Sequence, residues 1–221
     1  MNKLINKLVL VAILITLYLI GISTTYAHED AKDHKDSANK ESTTKDMMGM
    51  DEETMKKWME YATPNENHKV LDGLVGKWDY KLKWWQAPGA KPEKSTGRSK
   101  IKWTMDGRFL RHKAKGTSMG QPFRGMGIVG FNNETKKYES VWIDNMGTGM
   151  ARGTGTYDAK TKKLTEEGTF SCPGEGNKKF RSVMTITGPD TFTYEWYMPG
   201  PDKKEYRAMV IDYTRKKEEK K

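Results

Sequence analysis

The sequence predicts an all-β domain: an antiparallel up-and-down barrel of about eight to ten strands, preceded by one or two short helices. Three observations predict it. From Gly76 onward, apolar residues recur at every second position. Turn-forming residues interrupt that alternation at short, fairly even intervals. Most of the links between alternating segments are short enough for hairpins, so consecutive segments pair as neighbours and the meander closes.

Residues 1–27 read as a cleavable export signal. Lys3 and Lys7 charge the start, residues 8–22 form an uncharged apolar run, and a short polar stretch ends in Thr25-Tyr26-Ala27. Those are the parts of a secretory signal. The competing reading is an uncleaved anchor, but a spanning helix needs about 20 apolar residues and this run is shorter. Cleavage after Ala27 makes the mature chain exported, periplasmic or secreted, with no stable membrane span. No Cys stands at the cleavage site to take a lipid.

Residues 28–50 read as a disordered charged leader, because the stretch 28–46 is nearly devoid of apolar residues. Such a segment buries too little surface to offset the entropy of ordering. Residues 51–75 read as short helices. Met55, Trp58, Met59 and Ala62 share one helical face, Asp51 caps the start and Thr63-Pro64 ends it. Asn65 to Leu74 reads as a second short helix with Val70, Leu71 and Leu74 on one side.

The barrel is expected over 76–215. In 78–84, Trp78, Tyr80, Leu82 and Trp84 alternate with Asp79, Lys81 and Lys83; in 98–104, Ser99, Ile101 and Trp103 alternate with charged residues. This is the pattern of a strand with one face on a core and one in water. Further strands are expected near 108–116, 123–132, 137–145, 148–157, 163–171, 179–187, 191–198 and 204–214. The many glycines of 116–155 read as bends that help a sheet close, since no helix follows them to make a phosphate loop. Residues 216–221 are a charged tail.

The net charge is +10. Along most of the chain the cations are interspersed with acids, which suits a solvated surface, and no nucleic-acid-binding motif is visible; no nucleic-acid partner is expected. Cys172 is the one cysteine, so the exported chain has no internal disulfide and its core must hold the fold.

These residues, taken together, resemble a bacterial family known as domain of unknown function 1579. The match is carried by Glu66-Asn67-His68 with Leu71, Leu74-Val75-Gly76-Lys77-Trp78, Asp106-Gly107-Arg108-Phe109-Leu110, Gly120-Gln121-Pro122-Phe123, Gly130-Phe131-Asn132, Trp142-Ile143-Asp144-Asn145-Met146, Gly155-Thr156-Tyr157-Asp158 and Tyr213-Thr214-Arg215. The resemblance implies a lipocalin-like (calycin-like) barrel and no established activity. Gly76-x-Trp78 also resembles the opening of lipocalins, which implies that Trp78 packs under a basic residue of the last strand. Arg215 is the candidate, and the pair would be a structural plug.

Trp84, Trp103, Tyr138, Trp142, Tyr194 and Trp196 recur on alternating positions, and His112 shares the apolar phase of its strand. With Asp144 they are the candidate lining of a pocket for a small apolar or amphipathic molecule. The alternative is a solid aromatic core. Catalysis is weakly supported. Cys172 has no identifiable base and no nucleophile elbow is present, leaving Asp144, Glu195 and His112 as polar groups that an enzyme would use. His28, His34 and their neighbouring acids would hold a metal weakly at best. No catalytic residue, metal or cofactor is assigned, and the sequence does not set the oligomeric state.

Overall fold

The computed structural model describes residues 50–217. The expected signal, all but the last residue of the leader, and residues 218–221 lie outside the described residues. Helix α1 spans Glu52–Ala62. Asp51 caps it by accepting from the Thr54 N–H at 2.8 Å, which satisfies one of the free donors of the first turn.

Helix α2 spans Glu66–Lys69, and a 3-10 turn spans Asp72–Leu74. Asn65 and His68 make a reciprocal capping box: the Asn65 side chain accepts from a backbone N–H, and His68 Nδ1 accepts from the Asn65 N–H at 3.1 Å. The expected continuous second helix is therefore broken in two. Asp72 and Gly73 are poor helix formers, and the tighter turn sets both Leu71 and Leu74 in the core.

Ten strands follow: β1 Gly76–Trp84, β2 Glu93–Thr104, β3 Phe109–Ser118, β4 Gln121–Asn132, β5 Lys137–Asp144, β6 Ala151–Asp158, β7 Lys163–Cys172, β8 Gly176–Gly188, β9 Thr191–Pro199 and β10 Glu205–Arg215. Each pairs antiparallel with its chain neighbours, and β1 pairs with β10 to close the barrel. The fold is thus the up-and-down barrel that the alternation predicts. Closure removes every sheet edge.

The two ends differ. At one end α2 and the 3-10 turn lead into β1, and Leu71, Leu74, Trp78 and Phe192 join the buried cluster. Trp78 Nε1 donates to Leu74 O at 2.8 Å. Two hairpins at this end share one turn chemistry: Asn132 Oδ1 accepts from Glu134 N, and Asp158 Oδ1 accepts from Lys160 N. Each is followed by a lysine in the left-handed region, Lys136 and Lys162. Asn133, beside the first turn, donates to the carbonyls of Glu60, Tyr61 and Thr63 at 2.8–3.0 Å and accepts from Asn65. One buried amide thus gathers three backbone carbonyls where α1 ends.

The opposite, open end carries the Trp85–Pro92 loop, the Met119-Gly120 turn and the loops 145–150, 173–175 and 200–204. A bulge between Arg207 and Met209 buries Ala208, whose carbonyl accepts from Trp85 N at 2.8 Å.

Several of the glycines have a different role from the one expected. A Cβ on Gly125 or Gly127 would collide with the Trp142 ring, on Gly97 or Gly116 with Tyr80, and on Gly168 with Phe180. None of these five has a positive φ. They are flat seats on which rings of other strands lie, which corrects the reading of Gly116, Gly125 and Gly127 as bends, whereas Gly120 stands in a turn with a φ of 75°.

Candidate functional site

Strand alternation decides which side chains reach the interior. Register places Ile101, His112, Gly127 and Trp142 on one inward row, and Gly155, Glu166, Ser182 and Trp196 on another. His112 packs edge-on against Trp142, centroids 5.4 Å apart, and against Tyr213 at 6.0 Å. Its Nε2 is covered from solvent and has no hydrogen-bond partner. Burial depresses the imidazole to about 4, so the ring is neutral at pH 7.

Glu166 is only 8% exposed. Ser182 Oγ donates to its Oε2 at 3.5 Å, while its Oε1 has no partner. Desolvation raises its pKa from the ordinary value, against the opposing effect of Ser140 and Ser182. Burial also pushes Tyr194 and Tyr213 far up, with Glu166 adding to the shift at Tyr194. The interior therefore holds a belt of buried polar groups among rings, the His112 imidazole among them neutral. Tyr213 stacks on Phe192 at 4.1 Å and Trp196 on Phe180 at 3.7 Å. Unpartnered buried polar atoms are uncommon in folded proteins, because burying one without a partner costs free energy.

The sequence candidates fall into three places. His112, Trp142, Tyr194 and Trp196 face the interior described above. Trp84 sits at the open end beside Met209 and Glu93, and Asp144 lies there too, accepting from Trp142 Nε1 at 3.0 Å and from Met146 N at 2.9 Å. Trp103 and Tyr138 serve the closed end: Trp103 Nε1 donates to Asp72 Oδ1, and Tyr138 Oη donates to Asn67 O, both at 2.8 Å. Burial, with Tyr157 adding to it, pushes the Tyr138 phenol up to about 12.

Arg215 lies 4.1 Å above the Trp78 ring and donates to the Val75, Gly73 and Pro189 carbonyls. Glu195 is on the outward phase of β9, paired to Arg207 at 2.7 Å, so the structure does not bring it to His112 or Asp144. Among the described residues, no group of three or more His, Cys, Asp and Glu side chains gathers as a metal site.

Glu166, Ser140, Ser182, Tyr80 and Tyr213 are absent from the sequence candidates. Their signal was present: Glu166 shares the phase of Leu164 and Phe170, and Tyr213 that of Ile211. A separate open groove of about 320 Å³ lies at the mouth, lined by Trp85, Ala87, Pro88, Gly89, Tyr206 and Arg207.

One of the solved structures similar to this chain agrees with this architecture. The crystal structure of Rv2717c from M. tuberculosis is similar, with a TM-score of 0.54 and 14% identity, over 70% of this chain and 100% of that one. A redesigned β-barrel matches with a TM-score of 0.36, 18% identity, and coverage of 67% and 96%. A de novo designed fluorescence-activating β-barrel matches with a TM-score of 0.39, 13% identity, and coverage of 66% and 97%. No curated protein matches the chain in sequence. The family model described as "Protein of unknown function (DUF1579)" matches residues 63–215, which take in the whole barrel and its closed end, and the chain belongs to that family.

Proposed function

We propose that this chain is an exported binding protein whose barrel takes one small, uncharged amphipathic molecule, its polar group against His112 and Glu166. One observation carries the reading. His112 Nε2 and Glu166 Oε1 are buried in an aromatic interior, and neither has a partner. A hydroxyl both donates and accepts, so it suits a neutral imidazole and a buried carboxyl oxygen alike. An anionic head would meet no cation there: the inward Lys178 and Arg215 stand near the strand ends, held by Glu175 and Asp190. Export rests on the apolar run 8–22 and the small residue Ala27.

The test is displacement of an apolar fluorescent dye by a long-chain alcohol and by the fatty acid of equal length. The alcohol should displace the dye at least about tenfold better, the difference that one unpaired buried charge easily supplies. Failure to take up any apolar dye, or preference for the fatty acid, would contradict the reading. Export has its own test in the native host. A mature amino terminus at His28 supports it, and a retained Met1 opposes it.

A further inference from the structure

Strand alternation sorts charge as well as apolar side chains. The outward positions of β1–β4 hold eleven Lys and Arg but one acid, Asp79, whereas the outward positions of β5–β10 hold six cations and six acids. The positive charge of the barrel wall therefore lies on one face. Register aligns it in rows. Arg98 stands opposite Lys115, which stands opposite Arg124; Lys100 stands opposite Lys113, and Lys102 opposite Arg111. Like charges directly across strands are destabilising. Asp79 answers this only in part, 3.8 Å from Arg98 with both side chains largely exposed.

We propose that this face docks on an anionic lipid bilayer, held by charge and not by insertion. The cations form a two-dimensional array, about 4.8 Å apart across strands and about 6.7 Å along them. That shape meets a surface, not a strand lying in a groove. Most of them are lysines, whose flexible point charges follow a diffuse field and lack the fork that reads a single phosphate. The outward phase of these four strands offers one aromatic, Phe109 at the end of β3, so no platform exists for stacked bases. On β4 the rows continue through Met126 and Ile128, which are half-buried and form no wedge, and the exposed Met105 and Met119 lie in the turns at the two ends of the face, outside the rows. The interior plays no part, so this face stands or falls separately from the barrel's ligand.

The test is co-sedimentation of the purified protein with phosphatidylcholine vesicles, with and without phosphatidylglycerol. Binding should need the anionic lipid and weaken steeply with salt. The triple variant Lys100→Gln, Lys113→Gln, Lys115→Gln should lose on the order of 100-fold in partitioning. An equal charge change on the other strands, Arg152→Gln, Lys163→Gln, Lys179→Gln, should lose less than about threefold. Circular dichroism checks that both fold; the double variant Lys83→Gln, Lys94→Gln, with an expected loss on the order of 10-fold, serves if the first triple does not. No binding to anionic vesicles, equal losses in the two triples, or binding to oligonucleotides without binding to vesicles would overturn the proposal.

Discussion

Replacing Arg215 with methionine keeps the apolar stem of the side chain but removes what the guanidinium does at the closed end. Nη1 donates to Val75 O at 2.6 Å, and Nη2 to Gly73 O at 2.8 Å and Pro189 O at 3.1 Å. Bonds from a charged donor contribute about 1.5–3 kcal/mol each where the acceptor is otherwise unsatisfied. The ring stack over Trp78, at 4.1 Å, adds about 0.5–2 kcal/mol. The ion pair with Asp190 counts for little, because that carboxylate is 61% exposed. Water reaches part of this site and replaces some of the lost bonds, so the expected loss is about 3–4 kcal/mol. Equilibrium urea unfolding, followed by tryptophan fluorescence, measures it directly, with the m-value unchanged. Arg215→Lys keeps the charge without the fork and should recover less than half of the loss. A loss below about 1 kcal/mol in the methionine variant would refute the assignment of Arg215 as the clasp of the closed end.

Three further outcomes follow from the packing and the buried groups. Gly155→Ala places a methyl against the Thr165 carbonyl and the Glu166 backbone, which cannot swing aside, so it should cost about 2–3 kcal/mol by thermal unfolding. Asn133→Ala removes the donor shared by the carbonyls of Glu60, Tyr61 and Thr63 and should cost about 2 kcal/mol, with faster amide exchange confined to residues around 60–68. His112 has a folded-state value of about 4, below its unfolded value, so the unfolded chain binds more protons between about pH 4 and 6.5 and stability falls as pH drops through that window. His112→Leu should remove about 3 kcal/mol of that pH dependence. Comparing the two proteins in the same buffers cancels the opposite trend from Glu166, whose raised value lowers stability as pH rises above the carboxylate range.

Most of the barrel was legible because period-two alternation is a local property. Trp78, Tyr80, Leu82 and Trp84 declare the inward face of β1 without any knowledge of their neighbours. The ten expected strands match the ten observed to within a few residues, apart from the earlier start of β2 in the weakly patterned stretch from Glu93. What the local pattern hides is pairing. Gly125 and Gly127 look like bends until register sets them under Trp142, fifteen or more residues away. Tyr138 and Trp103 read as pocket walls, and only the fold shows that α2 and the 3-10 turn take their polar atoms. Glu166 was passed over because a charged residue is expected to face water, although Leu164 and Phe170 fix its phase inward. The basic face was hidden the same way: acids and bases look mixed along the chain, and only the pairing of β1–β4 gathers the cations on one side.

The central claim is that the barrel holds a small neutral amphipathic molecule on His112 and Glu166. Mass spectrometry of small molecules extracted from the natively purified protein, beside the His112→Leu variant, tests it most directly. One uncharged amphipathic species is expected at near-stoichiometric amount in the natural protein, and its loss in the folded variant. A folded natural protein that yields no such species, or a variant that retains it undiminished, would contradict the claim.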